Sequence, residues 1–196
     1  AMAARMLAQA YLVGEGSFGM IAPMLRSTVW GWGWELGAAA TLVIAGALAG
    51  ARESRAAWRI VAAGTAALAL SFSLTGHAAA VERSPSLHVA LDAIHVMAAG
   101  GWLGTLLIVM TVGLRDALAL PTDVRARATA QLVNAFSTFA LACAATLAIT
   151  GIVAAWTQLP SVSALWQTQY GLALCRKLVV LGCTGIVGAY NWRVIR

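Results

Sequence analysis

The stretch LHVALDAIHVMAAGGWLGTLLIVMTVGL, residues 87–114, carries a single formally charged side chain, Asp92, in a run longer than the about 20 residues that cross a hydrocarbon core as a helix. It reads as a membrane-spanning helix bearing three polar side chains, His88, Asp92 and His95, on an otherwise apolar rod. Outward from it the pattern repeats. Further apolar runs lie near 3–25, 33–51, 58–80, 130–156 and 169–192, separated by short breaks that hold most of the charge. The whole chain has 196 residues, of which 61% are hydrophobic and 10% charged. Its mean hydropathy of +0.81 is outside the range of a soluble domain. No alternating ten-residue segments of the kind that build membrane barrels occur. The expected fold is therefore all-α: a polytopic transmembrane helical bundle of about six spanning helices, forming one membrane domain over residues 1–196.

The basic residues set an orientation. Arg5, Arg52, Arg55, Arg59, Arg115, Arg125, Arg127, Arg193 and Arg196 all fall on one side of such a bundle, and only Arg26 and Arg83 fall in breaks on the other. Positive charge marks the cytoplasmic side, so both termini are expected in the cytoplasm. Trp30, Trp32, Trp34, Trp156 and Trp166 then form an interfacial belt at the outer surface. Topology accounts for the net charge of +6, and no nucleic-acid partner is inferred from it. Cys143, Cys175 and Cys183 lie inside apolar runs without CxxC spacing and read as small buried residues. The pairs Gly46 and Gly50, and Gly100 and Gly104, have the spacing that lets membrane helices approach closely. The first run has no cleavable signal pattern, and its start, Ala1-Met2-Ala3, suggests that an N-terminal portion precedes it.

Ionisable residues at membrane depth are costly and point to function. Glu15 falls in the middle of the first run, Asp92 and His95 inside the fourth, and Arg176-Lys177 in the outer part of the last. His77, His88 and His95 are the only histidines, and all belong to one hairpin. On a helix, His88 and His95 share a face with Asp92 between them, about 10 Å apart in height. That distance is too long for one ion, since metal–nitrogen bonds are about 2 Å. They make two levels instead: an outer one at His88 and a deeper one at Asp92 and His95, with His77 at a height between them. Met20 and Met24 are four apart near the outer surface. Thioether and imidazole donors suit Cu(I), and imidazole with carboxylate suits Cu(II) or Zn(II). Each residue also has an ordinary structural reading. The methionines serve as apolar filler, Asp92 and His95 as a mutual hydrogen bond, and Glu15 as the counter-ion of Arg176 or Lys177.

Several pieces in order resemble the copper-resistance protein D (CopD) family of bacterial inner-membrane proteins. They are TGHAAA at 75–80, LDAIHVMAAGGWLGTL at 91–106, NAFSTFA at 134–140, TGIVAAW at 150–156, YGLALCRKL at 170–178 and AYNWR at 189–193. VGEGSFG at 13–19 and TVWGWGWELG at 28–37 resemble the portion before them. Family members usually have about eight membrane helices, so the chain looks like the later part of one or a short version. The resemblance implies copper handling at the inner membrane beside a periplasmic copper-binding partner of the CopC type. For residues it implies His77, Asp92 and His95, and by neighbourhood His88. Met20, Met24 and Glu15 rest on chemistry alone.

The expected function is capture of copper from the periplasmic side and its passage inward, as a transporter rather than an enzyme. No P-loop or other nucleotide motif is present to drive it. Two alternatives stand beside it. Histidines on neighbouring helices can hold haem b, giving a membrane oxidoreductase with Gly100-Gly101 as a porphyrin face. A subunit that only docks a copper chaperone through its outer loops, around Glu82-Arg83 and 157–169, is the other.

Overall fold

The computed structural model describes residues 2–15, 18–50, 54–80, 84–159 and 161–195. Arg52, Glu82, Arg83 and Arg196 lie outside them. Every regular element among the described residues is helical. Five of the helices are long and apolar enough to cross a membrane. The protein is an all-α, multi-pass membrane bundle. It divides into two compact units, Ala1–Leu103 and Gly104–Arg196.

In the first unit, the run expected as one helix near 3–25 is divided into α1 (Met2–Val13) and α2 (Ile21–Ser27). The sequence VGEGSFG explains the break, because each glycine costs a helix roughly 1 kcal/mol relative to alanine. Glu15 takes a left-handed φ of 49° there. The rings of Tyr11 and Phe18 meet at 5.6 Å on either side of the turn. Neither helix alone has the about 20 residues of a span.

α2 turns directly into α3 (Val29–Gly50) through an extended Thr28, at φ −124° and ψ 149°. One hydroxyl closes the joint. Thr28 Oγ1 donates to the Met24 carbonyl at 2.6 Å and accepts from the Gly31 N–H at 2.9 Å, so it ends one helix and caps the next. Residue 31 must be glycine, since a Cβ there would meet the Met24 carbonyl and the Leu25 backbone.

α3 and α4 (Arg55–Leu74) form an antiparallel pair. Gly33 abuts Leu74 and Thr75 at one end, and Gly64 abuts Ile44 further down, where an added Cβ would come within 2.7 and 2.6 Å of those side chains. Small buried residues, among them Ala40, Ala57, Ala69 and Ser71, bring the backbones together. Fully buried Ser73 gives its hydroxyl to the Ala69 carbonyl at 3.3 Å, which satisfies it without water. The expected glycine contacts are different ones: Gly46, Gly100 and Gly104 face open space, and Gly33 and Gly64 make the close approach.

Ser54 caps α4 by accepting from Ala57 N–H at 3.5 Å. α4 ends at Leu74 rather than near 80. Thr75 and Gly76 direct their N–H groups back to Ser71 and Ser73, and a 3-10 turn, His77–Ala80, follows. α5 (Pro85–Ile108) opens on a proline, whose missing N–H is no loss in a first turn. Within this unit α5 does not pack lengthwise on α4, contrary to the close hairpin expected from their short connection.

In the second unit a π turn, Val109–Gly113, leads to α6 (Leu114–Ala119). Leu132 of α7 (Thr122–Gln158) packs against Gly113. Pro121 fixes the corner by forcing Leu120 into extended backbone, ψ 155°. α7 thus starts at Thr122, ahead of the expected boundary near 130. After it come α8 (Ala164–Gln167) and α9 (Gln169–Ile195).

The α8–α9 joint repeats the first elbow. Thr168 is extended at φ −114° and ψ 152°, donates to the Ala164 carbonyl at 2.7 Å and accepts from Gly171 N–H at 3.0 Å. A Cβ on Gly171 would meet the Ala164 carbonyl. The two sequences, MLRSTVWG at 24–31 and ALWQTQYG at 164–171, share leucine, threonine, an aromatic and glycine at equivalent places.

Candidate functional site

The polar stripe of α5 begins at its first turn. Ser84, just before the helix, has a φ of 59°. That is an uncommon conformation for a residue with a Cβ, and more so before proline. Its carbonyl accepts from Leu87 N–H at 3.1 Å and His88 N–H at 3.3 Å, and it also lies 3.0 Å from His88 Nδ1. A carbonyl oxygen only accepts, so Nδ1 carries the proton. A neutral imidazole has one N–H, which leaves Nε2 as a lone pair. Nε2 is buried and has no hydrogen-bond partner among the described residues. An unmet buried acceptor costs about 1–3 kcal/mol, which a donor or a metal ion would recover. Metal-binding histidines commonly hold their other nitrogen in this way, with a carbonyl fixing tautomer and ring.

Asp92 and His95 follow on the same uninterrupted helix, and both are half-buried. The spacing expected between His88 and His95 is therefore kept, about 10 Å along the axis. His77 is placed differently. It stands in the 3-10 turn beyond the end of α4, because Thr75-Gly76 stops that helix first, and its side chain lies outside the described residues.

Met20 and Met24 keep their four-residue spacing at the start of α2. Met24 is 5% exposed, in a helix packed on α3 and α1, and its carbonyl belongs to the elbow; Met20 is 38% exposed. Glu15 is exposed in the turn between α1 and α2, not midway along a spanning helix. Arg176 and Lys177 are exposed on α9. Among the described residues, no three His, Cys, Asp or Glu side chains group closely enough to hold a metal ion together. Ser84 is the site residue that sequence reading missed. The pattern Ser-Pro followed three residues later by His was its signal, because a side chain in the first turn reaches the carbonyl that precedes the helix.

A family model described as "Copper resistance protein D" matches residues 130–196. No curated protein and no solved structure matches. The match takes in α9 and most of α7, with NAFSTFA, TGIVAAW, YGLALCRKL and AYNWR all inside it. It is over this last third that the chain is similar to the CopD family of membrane proteins.

Proposed function

We propose that the protein binds copper from the periplasmic side of a bacterial inner membrane and passes it inward. The observation that carries this reading is the pinned imidazole of His88, with Nδ1 donated to Ser84 and Nε2 held as a lone pair that has no partner among the described residues. Such a nitrogen binds a borderline-soft cation without first losing a proton. The likeness of the last third of the chain to the CopD family makes copper the natural cargo.

Passage requires binding strong enough to admit an ion and divided enough to release it. His88 supplies the outer step, with His77 and the thioethers of Met20 and Met24 as further capture ligands. Asp92 and His95, one and two turns further along the same stripe, supply the deeper step, where a carboxylate offsets the ion's charge. Glu15, and Arg176 with Lys177, adjust the charge along the way. The arginine-rich ends of the spanning helices face the cytoplasm, and a CopC-type copper-binding protein delivers copper at the opposite side.

Copper accumulation in cells, with elemental analysis and a visible spectrum of the purified chain, tests the reading. His95→Ala is expected to abolish copper-dependent accumulation while the protein remains in the membrane. Unchanged accumulation would sink the proposal. A Soret band that shifts on reduction would replace copper by haem b as the bound group.

A further inference from the structure

The corner between α6 and α7 opens on a cleft of ≈ 380 Å³, lined by Leu118 of α6 and, on α7, by Thr122, Arg125, Thr129, Ala130 and Val133. The α7 residues follow one stripe for about 16 Å. Their character changes along it: the polar Thr122, Arg125 and Thr129 fall in the first part, with Ala126 among them, and Ala130 and Val133 follow. The last charged residue of α7 is Arg127, and the helix is uncharged from 128 to 158. The polar mouth therefore lies at headgroup level and the apolar end in hydrocarbon.

Arg125 is held in place. Its Nε and Nη2 both donate to the Leu120 carbonyl, at 3.1 and 3.0 Å, which fixes the guanidinium plane and leaves other N–H groups to bind a ligand. Asp116 and Asp123 are exposed, and neither lines the cleft. Thr138, Thr146, Thr150 and Thr157 of the same helix each give their hydroxyl to a carbonyl of their own helix one turn back. Neither Thr122 nor Thr129 is engaged in that way.

The geometry points to a binding site for an anionic glycerophospholipid. Its phosphate sits on Arg125 and the Thr122 hydroxyl, the glycerol esters lie at Thr129, and an acyl chain lies along Leu118, Ala130 and Val133. Planar guanidinium groups suit phosphate oxygens. Arg115 and Arg127, exposed on the same segment, favour a net negative headgroup over a zwitterionic one, since a headgroup amine would stand among three cations. The inference rests on α6 and α7 alone and is independent of the copper reading.

The full chain, purified and exposed to equal amounts of phosphatidylglycerol and phosphatidylcholine, is examined by native mass spectrometry. Wild type is expected to retain phosphatidylglycerol about fivefold over phosphatidylcholine, the effect of roughly one well-placed surface cation. Arg125→Gln should remove most of that preference, and Arg127→Gln, outside the cleft, should keep most of it. Val133→Trp, which fills the apolar end, should lower retention of both lipids. A wild-type preference in Arg125→Gln would overturn the site. Displacement of the lipid by millimolar inorganic phosphate would also overturn it, in favour of a free-anion site. Thermal unfolding in detergent checks that Arg125→Gln is folded. If it is not, Arg125→Lys, which keeps the charge but not the two-donor clasp, serves in its place and should show a reduced preference.

Discussion

The N-terminal unit holds all three histidines, the Met20–Met24 pair and Glu15, whereas the C-terminal unit holds all three cysteines and the whole of the CopD match. The family-model match and the candidate copper chemistry thus fall in different parts of the chain. In α7 and α9 the matched residues are mostly apolar and small, the vocabulary of helix packing in lipid. In α5 the informative residues are few and polar, and their worth lies in spacing and in which nitrogen is free. The scaffold carries the likeness to a family, and the ligands must be argued on their own chemistry.

The largest expected effect tests that division. Purified His88→Ala and His95→Ala should each lose most of the copper that wild type retains by elemental analysis, while a variant with Cys143, Cys175 and Cys183 all changed to serine should retain it. If copper followed the cysteines, the assignment of ligands to the N-terminal unit would fail. Next come the two elbows, where the units are alike. Gly31→Ala and Gly171→Ala should each cost about 1–3 kcal/mol in thermal unfolding, the usual penalty of forcing atoms into a filled space. A tolerated alanine at one of them would show that the joints are not equivalent.

Smaller effects carry the opposite sign. Ser84→Gly relieves a left-handed φ and should stabilise by about 1 kcal/mol while leaving copper retention unchanged, because the carbonyl that holds His88 Nδ1 belongs to the backbone. Gly46→Ala, next to open space, should stabilise by at most about 1 kcal/mol through helix propensity, and a loss would mean that a neighbour approaches there.

What the sequence made legible follows from the range of each interaction. The five long helices were readable because hydropathy sums over a whole run, and the spacing of His88, Asp92 and His95 because it is fixed within one helix. The division of the first run was not, since its mean hydropathy conceals glycines that act locally. The elbows were missed because Thr28 and Thr168 work across a joint, ending one helix and starting another. The lengthwise neighbours of α5 also lay beyond reach, because a short loop permits a packed hairpin without imposing it.

The elbows have a mechanical consequence. A joint whose angle is set by a hydroxyl bridging two helices, with a glycine pressed against the preceding backbone, does not hinge easily. Each short helix and the long one after it move as a bent lever with a stiff corner. A load on α2 or α8 would rotate or tilt α3 or α9 as a whole, so a push on the short arm reaches the full length of the long one.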